Sequence, residues 1–307
     1  MIIILVILLG IGAVVYRLAD RYLIEHVEVV VADDTAGTAG TGSTGTTTAA
    51  ATADVNATSD DWSYSSDNIQ VKIDQVQTGT GSDQITYFVA DVVLKDAASL
   101  RSAFADNSFG TNITEDTSEI ASSNNAIFAI NGDYYGFRED GVIIRNGTVY
   151  RDDPVRDAMA LFADGTMQTY DEEEVSSSEL LAEGATNTLS FGPILIQDGK
   201  IVSDFSSVKI DNNFGNRSIQ NANPRTAIGM IAPNHYVFVV VDGRKEGYSR
   251  GMTLAELADV MEGLGATEAY NLDGGGSSTM YFMGRVVNNP LGKNQERGVS
   301  DILYIKE

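Results

Sequence analysis

Cysteine is absent from the 307 residues, and histidine occurs only at His26 and His235. The absence of cysteine excludes disulfide bonds, thiol catalysis and thiolate metal sites. With two imidazoles in the whole chain, zinc chemistry is severely limited. The chemistry open to the chain therefore rests mainly on carboxylate, amide, hydroxyl and guanidinium groups.

Basic residues are scarce: 20 Lys and Arg stand against 43 Asp and Glu, which gives a net charge of −23. Because affinity for a phosphate backbone needs clustered Lys and Arg, and no basic stripe is present, the sequence predicts no nucleic-acid partner. The acidity suits solubility and divalent cations and says nothing about fold. Apolar residues make up 43% of the chain, which is enough for one large domain or two small ones with a real core.

The first sixteen residues, Met1 to Tyr16, carry no charge. At ~1.5 Å per residue a helix of this length spans about 24 Å, a little short of a ~30 Å hydrocarbon core. A basic n-region and a clear cleavage site are both missing, which favours an uncleaved signal anchor over a cleaved signal peptide. We therefore expect a single-pass transmembrane helix over residues 1–24, in contact with the membrane through residues 1–16.

Residues 25–61 are predicted to form a flexible stalk rich in Thr, Ala and Gly, because a segment with almost no large side chains buries too little surface to offset its ordering entropy. At its start, Glu25 to Val31 alternate as a short strand would. A tether behind an anchor holds a domain off a membrane. The composition of the stalk favours an extracellular location at the cell membrane.

Residues 62–307 have the composition and patterning typical of a globular domain. Turn signals at Asn146-Gly147, Asp164-Gly165 and Asp198-Gly199 predict three β-hairpins. A capping box at Thr253 and Glu256 begins a helical pattern. Hairpins outnumber helices, so the predicted fold is α+β, with mixed, mostly antiparallel sheets and few helices.

One loop stands out for its composition, the stretch from Asn271 to Thr279. Asp273 ends an apolar run and is followed by Gly274, Gly275 and Gly276, then by Ser277, Ser278 and Thr279. Glycines allow backbone N–H groups to close on a ligand, and hydroxyls add further donors and acceptors. The alternative is a tight turn with a polar cap. The pattern favours an active-site loop that holds an anionic or sugar-like group beside a working carboxylate.

The other candidates also lie where predicted strands end or begin, which is where scaffolds usually place reactive groups. They are Asn131, Asp133, Arg225, Asp242 and Arg244. Paired carboxylates suit glycoside hydrolysis, and arginines suit a phosphate or carboxylate. Each has an ordinary alternative: a turn at Asp242-Gly243, a salt bridge for an arginine, or rim packing for Tyr134, which otherwise stacks on a sugar.

Four motifs occur in a fixed order: Asn131 to Tyr135, Arg225 to Gly229, Asp242 to Arg244 with Ser249 to Thr253, and Asn271 to Ser278. Together they resemble the phosphodiester glycosidase family over about residues 65–307. Bacterial members of that family are often described as exopolysaccharide biosynthesis proteins. The resemblance implies hydrolysis of the glycosidic bond to a phosphodiester-linked sugar. It also implies that Asn131, Asp133, Arg225, Asp242, Arg244, Asn271, Asp273 and the loop Gly274–Ser278 line one pocket.

The resulting hypothesis is a membrane-anchored extracellular glycosidase that acts on a sugar-1-phosphodiester in a cell-surface polysaccharide or exopolysaccharide. Asp273 and Asp133 are expected to form the acid/base or nucleophile pair. Arg225, together with the glycine-loop amides, is expected to bind the phosphate. The predicted substrate-binding residues are Asn131, Tyr134, Asp242, Arg244, Asn271, Gly274, Gly275, Gly276, Ser277 and Ser278.

No cofactor is expected to be required, although a divalent cation such as calcium is an open alternative. Two other functions remain open from the sequence. One is a non-catalytic surface module that binds polysaccharide. The other is a phosphodiesterase that cleaves the P–O bond, for which several Asp and Asn side chains would supply metal ligands.

Overall fold

The computed structural model describes residues 2–31, 56–202, 205–208, 210 and 219–307. Residues 32–55, most of the predicted stalk, lie outside the described residues. The described part of the chain contains four α-helices, α1 (Ile2–Tyr22), α2 (Thr117–Ser123), α3 (Ser177–Ala182) and α4 (Leu254–Gly263). Its strands are β1 (His26–Val30), β2 (Thr58–Ser59), β3 (Ser63–Ser65), β4 (Ile69–Thr78), β5 (Ile85–Leu94), β6 (Leu100–Phe104), β7 (Ser108–Thr111), β8 (Phe128–Asn131), β9 (Gly141–Arg145), β10 (Thr148–Asp153), β11 (Asp157–Phe162), β12 (Met167–Asp171), β13 (Ala185–Leu189), β14 (Ile194–Gln197), β15 (Lys200–Ile201), β16 (Arg225–Ala232), β17 (His235–Val241), β18 (Glu268–Leu272), β19 (Met280–Phe282), β20 (Arg285–Val286) and β21 (Asp301–Ile305).

Two large sheets dominate the fold. One has nine strands in the order β15-β14-β18-β16-β17-β5-β4-β3-β2, and the other has five in the order β20-β19-β8-β21-β6. Three smaller sheets pair β12-β11-β13, β10-β9 and β1-β7. All the pairings in the two large sheets are antiparallel. The prediction of mostly antiparallel sheets with few helices is confirmed.

The core lies between the two large sheets. Phe88, Phe238, Phe128 and Leu303 are almost fully buried there, the first two from the nine-stranded sheet and the last two from the five-stranded sheet. Because strand side chains alternate between faces, the residues next to Phe238 along β17 point the other way and pack with α4. Helix α2 contacts the outer face of the five-stranded sheet in the same manner. The result is a sandwich of two sheets between two helical layers.

Local sequence signals account for the connections. Asn146-Gly147 joins β9 to β10 with left-handed φ values of 49° and 79°, the conformation that a two-residue hairpin turn requires. Asp164-Gly165 and Asp198-Gly199 join β11 to β12 and β14 to β15. The Thr253 hydroxyl accepts a hydrogen bond from Glu256 N, and the Glu256 side chain accepts one from Thr253 N. The three predicted hairpins and the predicted capping box are thus present.

The N-terminal prediction needs correction. Helix α1 extends beyond the uncharged run and includes Arg17, Asp20 and Arg21 in its last turns. In the described part of the chain, no helix combines the length and the apolar character needed to cross a membrane, so the predicted transmembrane helix is not found. The short strand predicted near residue 25 is confirmed as β1, which pairs with β7. The first part of the predicted stalk is therefore attached to the folded domain.

Candidate active site

Antiparallel register brings the predicted site residues to one edge of the sandwich. Arg225, the first residue of β16, lies opposite Val241, the last residue of β17. Thr226 in turn lies opposite Leu272, the last residue of β18. Asp242 and Asp273 therefore emerge on either side of Arg225.

Asn131 ties the second sheet to this edge. It ends β8 and is fully buried. Its Nδ2 donates to the Asp273 carbonyl oxygen at 2.8 Å, and its Oδ1 accepts from Thr226 Oγ1 at 2.7 Å. The side chain thus fixes the backbone at Asp273 with amide atoms that bond within the protein, and its predicted substrate binding stays a prediction.

Asp273 is the carboxylate at the centre of the site. Its Oδ1 accepts from Gly274 N at 2.8 Å, and its Oδ2 accepts from Ser277 Oγ at 2.6 Å and from Arg297 Nη2 at 3.0 Å. Burial raises the pKa of Asp273, and the nearby positive charge of Arg297 and the hydrogen bonds from Ser277 and Gly274 act against that rise. The side chain is mostly buried but keeps 12% of its surface exposed, whereas the side chain of Asp133 is fully buried.

The glycine loop also has a structural part that the sequence did not predict, while its binding of an anion stays a prediction. The N–H groups of Gly274, Gly275 and Ser277 donate to Asp273 Oδ1, Pro224 O and Gly274 O, so these three are already bonded within the protein. The glycines in addition make room for side chains. A Cβ on Gly275 would lie 2.9 Å from Arg244 Nη2, and a Cβ on Gly276 would lie 3.0 Å from Arg297 Cδ. The loop is a surface on which two guanidinium groups lie.

Arg225 is buried beneath this surface, with 2% of its area exposed. Its Nε donates to Met252 O at 3.0 Å and its Nη2 to Asn221 O at 2.7 Å. Burial and the charge of Arg244 lower the pKa of Arg225 to about 10. Within the described residues no carboxylate lies within 4.0 Å of its guanidinium. Two neighbouring cations that repel each other favour an anion between them.

Arg244 is exposed and has a left-handed φ of 59°. Its Nη2 donates to Asn223 Oδ1 at 3.1 Å. This places the guanidinium over Gly275, as the close approach to a Cβ at that position shows. Arg244 therefore presents its charge at the entrance to the site.

Asp133 lies near the site but faces inward. Its side chain is fully buried and pairs with Arg145 Nη2 at 3.1 Å, and Arg145 Nε in turn pairs with Asp301 at 2.7 Å. The remaining acceptor positions of Asp133 take the backbone N–H groups of Tyr135 and Ser190, at 2.8 Å and 3.0 Å. Because burial and the second carboxylate disfavour charge, the pKa of Asp301 is raised to about 7. The geometry favours a structural role for Asp133 rather than the predicted catalytic one.

Asp242 is also buried, with 1% of its surface exposed. It accepts hydrogen bonds from Tyr248 Oη at 2.7 Å, Asn288 Nδ2 at 2.9 Å and Asn289 N at 3.0 Å. Burial raises its pKa, and these hydrogen bonds oppose the rise. Asn288 Nδ2 also donates to Ser278 O at 2.9 Å, so Asp242 fixes two loops around the site, and its predicted contact with a substrate stays a prediction.

Asn271 and Ser278, two further predicted binding residues, each carry a buried polar atom with no hydrogen-bond partner among the described residues: Asn271 Oδ1 and Ser278 Oγ. Asn271 Nδ2 is held by Gly192 O at 2.8 Å. Buried polar atoms without partners are rare in proteins and mark places where water or a ligand is expected.

Tyr134 is partly packed. Its ring stacks on Phe137 with centroids 4.8 Å apart, and the Arg138 guanidinium lies 5.1 Å from its centroid. Phe191 meets it edge-on at 6.3 Å. The ring is thus packed against protein groups, as the rim-packing alternative predicts. Stacking on a sugar stays a prediction.

Two candidate site residues near Asp273 were not predicted from the sequence, Arg297 and Arg138. Arg297 lies in a polar loop between Glu296 and Gly298, and no periodicity or motif distinguishes it there. Arg138 follows the predicted Tyr-Tyr segment, and its charge lies close enough to lower the pKa of Asp273. Both come near Asp273 only through the fold, so no local signal identifies them.

The described residues include no group of three or more His, Asp or Glu side chains arranged to hold a metal ion. At this edge Asp273 is the most exposed of the three candidate carboxylates; Arg297 pairs with it, Arg138 lies near it, and the neighbouring cations Arg225 and Arg244 lie beside the glycine loop. Such a site suits a substrate that carries an anion beside the atom on which a carboxylate acts.

Comparison with solved structures supports the fold. A zebrafish N-acetylglucosamine-1-phosphodiester alpha-N-acetylglucosaminidase catalytic domain, auto-inhibited by its pro-peptide, superposes with a TM-score of 0.59 and 20% identity, over 79% of this chain and 84% of that one. A hypothetical protein from Synechocystis superposes with a TM-score of 0.56 and 17% identity, over 78% of this chain and 63% of that one.

Curated relatives share more sequence. An uncharacterized SPbeta prophage-derived protein of Bacillus subtilis (strain 168), YomE, is 32% identical over 206 residues, 64% of this chain. The N-acetylglucosamine-1-phosphodiester alpha-N-acetylglucosaminidase of Bos taurus is 30% identical over 156 residues, 47% of this chain. These matches span 30% and 29% of the lengths of the relatives. Residues 124–306, more than half of the chain, match the phosphodiester glycosidase family, to which the chain therefore belongs.

Proposed function

We propose that this protein hydrolyses the glycosidic bond of a sugar-1-phosphodiester. The observation that carries the proposal is the pairing of the accessible carboxylate of Asp273 with Arg297 at 3.0 Å, beside the neighbouring cations Arg225 and Arg244. Membership of the family and the name of the bovine relative support the same reaction. An N-acetylglucosamine 1-phosphodiester is accordingly the first substrate to test.

The reaction needs only one working carboxylate. The bond between the anomeric carbon and the phosphate oxygen breaks, the phosphate monoester leaves with the electron pair, and water supplies the new oxygen on the sugar. Because a phosphate monoester has a second pKa of about 6, it leaves as an anion without a proton from a general acid. Asp273 then acts at the anomeric carbon, either as the nucleophile or as the base for water. This explains how the site works while Asp133 is held in an interior ion pair.

The arginines bind the leaving phosphate in this proposal. Arg244 and Arg297 are exposed enough to donate to it directly, since the Arg297 side chain is 48% exposed. Arg225 lies below them and contributes positive potential. In this proposal guanidinium groups bind the phosphate, the role that the sequence suggested for the glycine amides together with Arg225. They stabilise the negative charge that develops on the leaving phosphate.

Replacement of the central carboxylate tests the proposal. In an Asp273→Asn variant we expect kcat/KM on the N-acetylglucosamine 1-phosphodiester to fall by about 10²–10⁴-fold, the range for removing a catalytic proton-transfer group. An Asp259→Asn variant, changed at an exposed position of α4, is the matched control and should behave as the wild type. Wild-type turnover by a folded Asp273→Asn protein would contradict the proposal.

The biological setting is also a proposal. The sequence supports a phosphorylated glycan or exopolysaccharide outside the cell as the substrate, and attachment to the membrane through residues 1–16 stays a prediction that cell fractionation would check. The absence of a cofactor requirement likewise stays a prediction. Full turnover after dialysis against EDTA would support it, and loss of turnover restored by calcium would contradict it.

A further inference from the structure

A groove of about 620 Å³ lies beside β4, at the point where its partner strand β3 ends. This volume falls within the range of about 300–1,000 Å³ that is usual for ligand sites. Two of the lining residues are apolar, Trp62 and Ile73, and the others are polar or charged: Asp60, Ser63, Lys72, Asp74 and Gln75. The groove therefore combines one aromatic ring with several groups that form hydrogen bonds.

Trp62, the only tryptophan of the chain, is fixed in position by its neighbours. Its backbone N–H donates to Asp60 Oδ1 at 2.8 Å, and its carbonyl oxygen accepts from Ile73 N at 2.8 Å. The Phe88 ring lies parallel to the Trp62 ring with centroids 6.4 Å apart, and the Arg285 guanidinium lies 4.9 Å from the Trp62 centroid. The orientation of the ring is thus set by protein contacts before any ligand binds.

Part of the Trp62 side chain nevertheless faces solvent. The residue is 38% exposed, and its Nε1 has no hydrogen-bond partner among the described residues. Parallel rings with centroids 6.4 Å apart are offset, so Phe88 covers only part of the Trp62 ring. Because tryptophan is highly buried on average and its N–H is usually paired when buried, an exposed ring with a free N–H is typical of a surface that contacts a partner.

The polar part of the lining begins where the core ends along β4. Ile73 is buried on the inner face of the sheet, whereas Gln75 and Gln77, the next residues of that face, are exposed. Gln75 lies opposite Phe88 in the register and borders the groove together with Trp62. No side-chain hydrogen bond holds Gln75 within the described residues, so its amide is able both to donate and to accept.

This combination matches a carbohydrate. A sugar ring has a face of C–H groups, which packs on an aromatic ring, and a rim of hydroxyl groups, each of which donates and accepts. An apolar peptide side chain would need an apolar pocket, but Ile73, the other apolar residue of the lining, is only 2% exposed. Lys72 pairs with Asp74 at 2.8 Å, so the groove does not present charge of one sign to a polyanion.

The groove is distinct from the candidate active site. In the nine-stranded sheet, β17 and β5 separate β4 from β16, so three strand spacings of about 4.8 Å lie between β4 and Arg225. Ile73 lies opposite Ala90, and Ala90 lies opposite Phe238. Phe238 precedes Val241, the partner of Arg225, by about 10 Å of strand. The two sites are therefore on the order of 20 Å apart.

We propose that this groove binds a neutral glycan chain, with one sugar ring packed on Trp62 and hydroxyl groups bonded to Gln75 and to the charged side chains of the lining. The groove residues precede residue 124, where the family match begins, so the site lies outside that match. It is also separate from the proposed reaction and does not depend on it.

Fluorescence of the single tryptophan tests the proposal without any turnover. The wild type is titrated with neutral tetrasaccharides of glucose, galactose, mannose and N-acetylglucosamine. At least one should shift the Trp62 emission to shorter wavelength, because the sugar displaces water from the ring, and should saturate with a Kd of about 1 mM or below. A flat titration with all four up to about 10 mM would overturn the proposal. A shift that follows protein concentration without sugar would also overturn it, because a second copy of the chain would then cover the ring.

A Gln75→Ala variant locates the glycan and keeps Trp62 as the reporter. Loss of a neutral hydrogen bond should weaken binding about 3–10-fold. Gln77→Ala, changed on the same face of β4 but outside the lining, is the matched control and should bind as the wild type does. Equal affinities of the wild type and Gln75→Ala would contradict the placement of the glycan in this groove.

Discussion

At Asp273 two effects on the pKa oppose each other. Burial raises the pKa, and Arg297, whose Nη2 lies 3.0 Å from Oδ2, lowers it. A carboxylate that acts at an anomeric carbon must be ionised. In the proposed reaction Arg297 is therefore expected to set the lower end of the pH range in which the enzyme works.

Removal of the Arg297 charge should move the acidic limb of the pH profile. In an Arg297→Met variant the pKa of Asp273 rises further, so less of the carboxylate is ionised at a given acidic pH. We expect the acidic limb of kcat/KM to shift to higher pH, measured on the N-acetylglucosamine 1-phosphodiester. Arg297→Lys keeps the charge and should shift it less. Superimposable profiles for wild type and Arg297→Met would refute this role.

Gly275 tests the interpretation of the glycine loop. Its φ is 65°, and a Cβ there would meet Arg244 Nη2 at 2.9 Å. Gly284 has a φ of 88° and nothing within 4 Å of its Cβ position, so Gly284→Ala is a control that carries the backbone strain alone. Both substitutions should lower the free energy of unfolding by about 1–2 kcal/mol. Only Gly275→Ala should also lower kcat/KM, since it displaces Arg244; equal activity in the two variants would show that the loop does not position this guanidinium.

At the scale of elements, the ends of β8, β9 and β21 are joined by Asp133, Arg145 and Asp301. Arg145 is held between two carboxylates, with its side chain 1% exposed. Removal of one partner from a buried ion pair costs more than the pair contributes, because the remaining charge has no counterion. This network therefore holds the end of β8, and with it Asn131, in place beside the site.

Asp133→Asn separates the structural role from the predicted catalytic one. The amide keeps the size of the side chain but loses the charge that faces Arg145, so the free energy of unfolding should fall by about 1–3 kcal/mol. Turnover by the folded protein should stay within about tenfold of the wild type, which is far from the loss of 10²-fold or more expected for a catalytic group. Denaturant unfolding and steady-state kinetics on one preparation give both values. A large loss of kcat with unchanged stability would restore Asp133 to catalysis.

At the scale of the whole molecule, the sequence predicted the local features well. The hairpin turns, the capping box at Thr253 and the polar strand ends depend on neighbouring residues, and the structure has them all. The family resemblance, rather than a local pattern, implied that Asn131, Arg225 and Asp273 converge on one pocket. The antiparallel register of β16 with β17 and β18 supplies the physical basis for that convergence.

Contacts between distant parts of the chain could not be predicted in the same way. Arg145 reaches Asp301 across 156 positions, and Arg297 reaches Asp273 from a loop with no distinguishing pattern. The inward orientation of Asp133 follows from the first contact, and the use of the glycines as space for side chains depends on the second. The N-terminal segment is similar: its charge pattern suggested an anchor, while its contact with Asn112 depends on the fold.

Hydrolysis of the N-acetylglucosamine 1-phosphodiester in heavy-oxygen water tests the central claim most directly. If Asp273 and its arginines cleave the bond at the anomeric carbon, mass spectrometry will find the label in the released sugar and none in the phosphate. Label in the phosphate would show cleavage of the P–O bond by a phosphodiesterase. Binding of the diester without any released product would show a non-catalytic module, and either result would contradict the account.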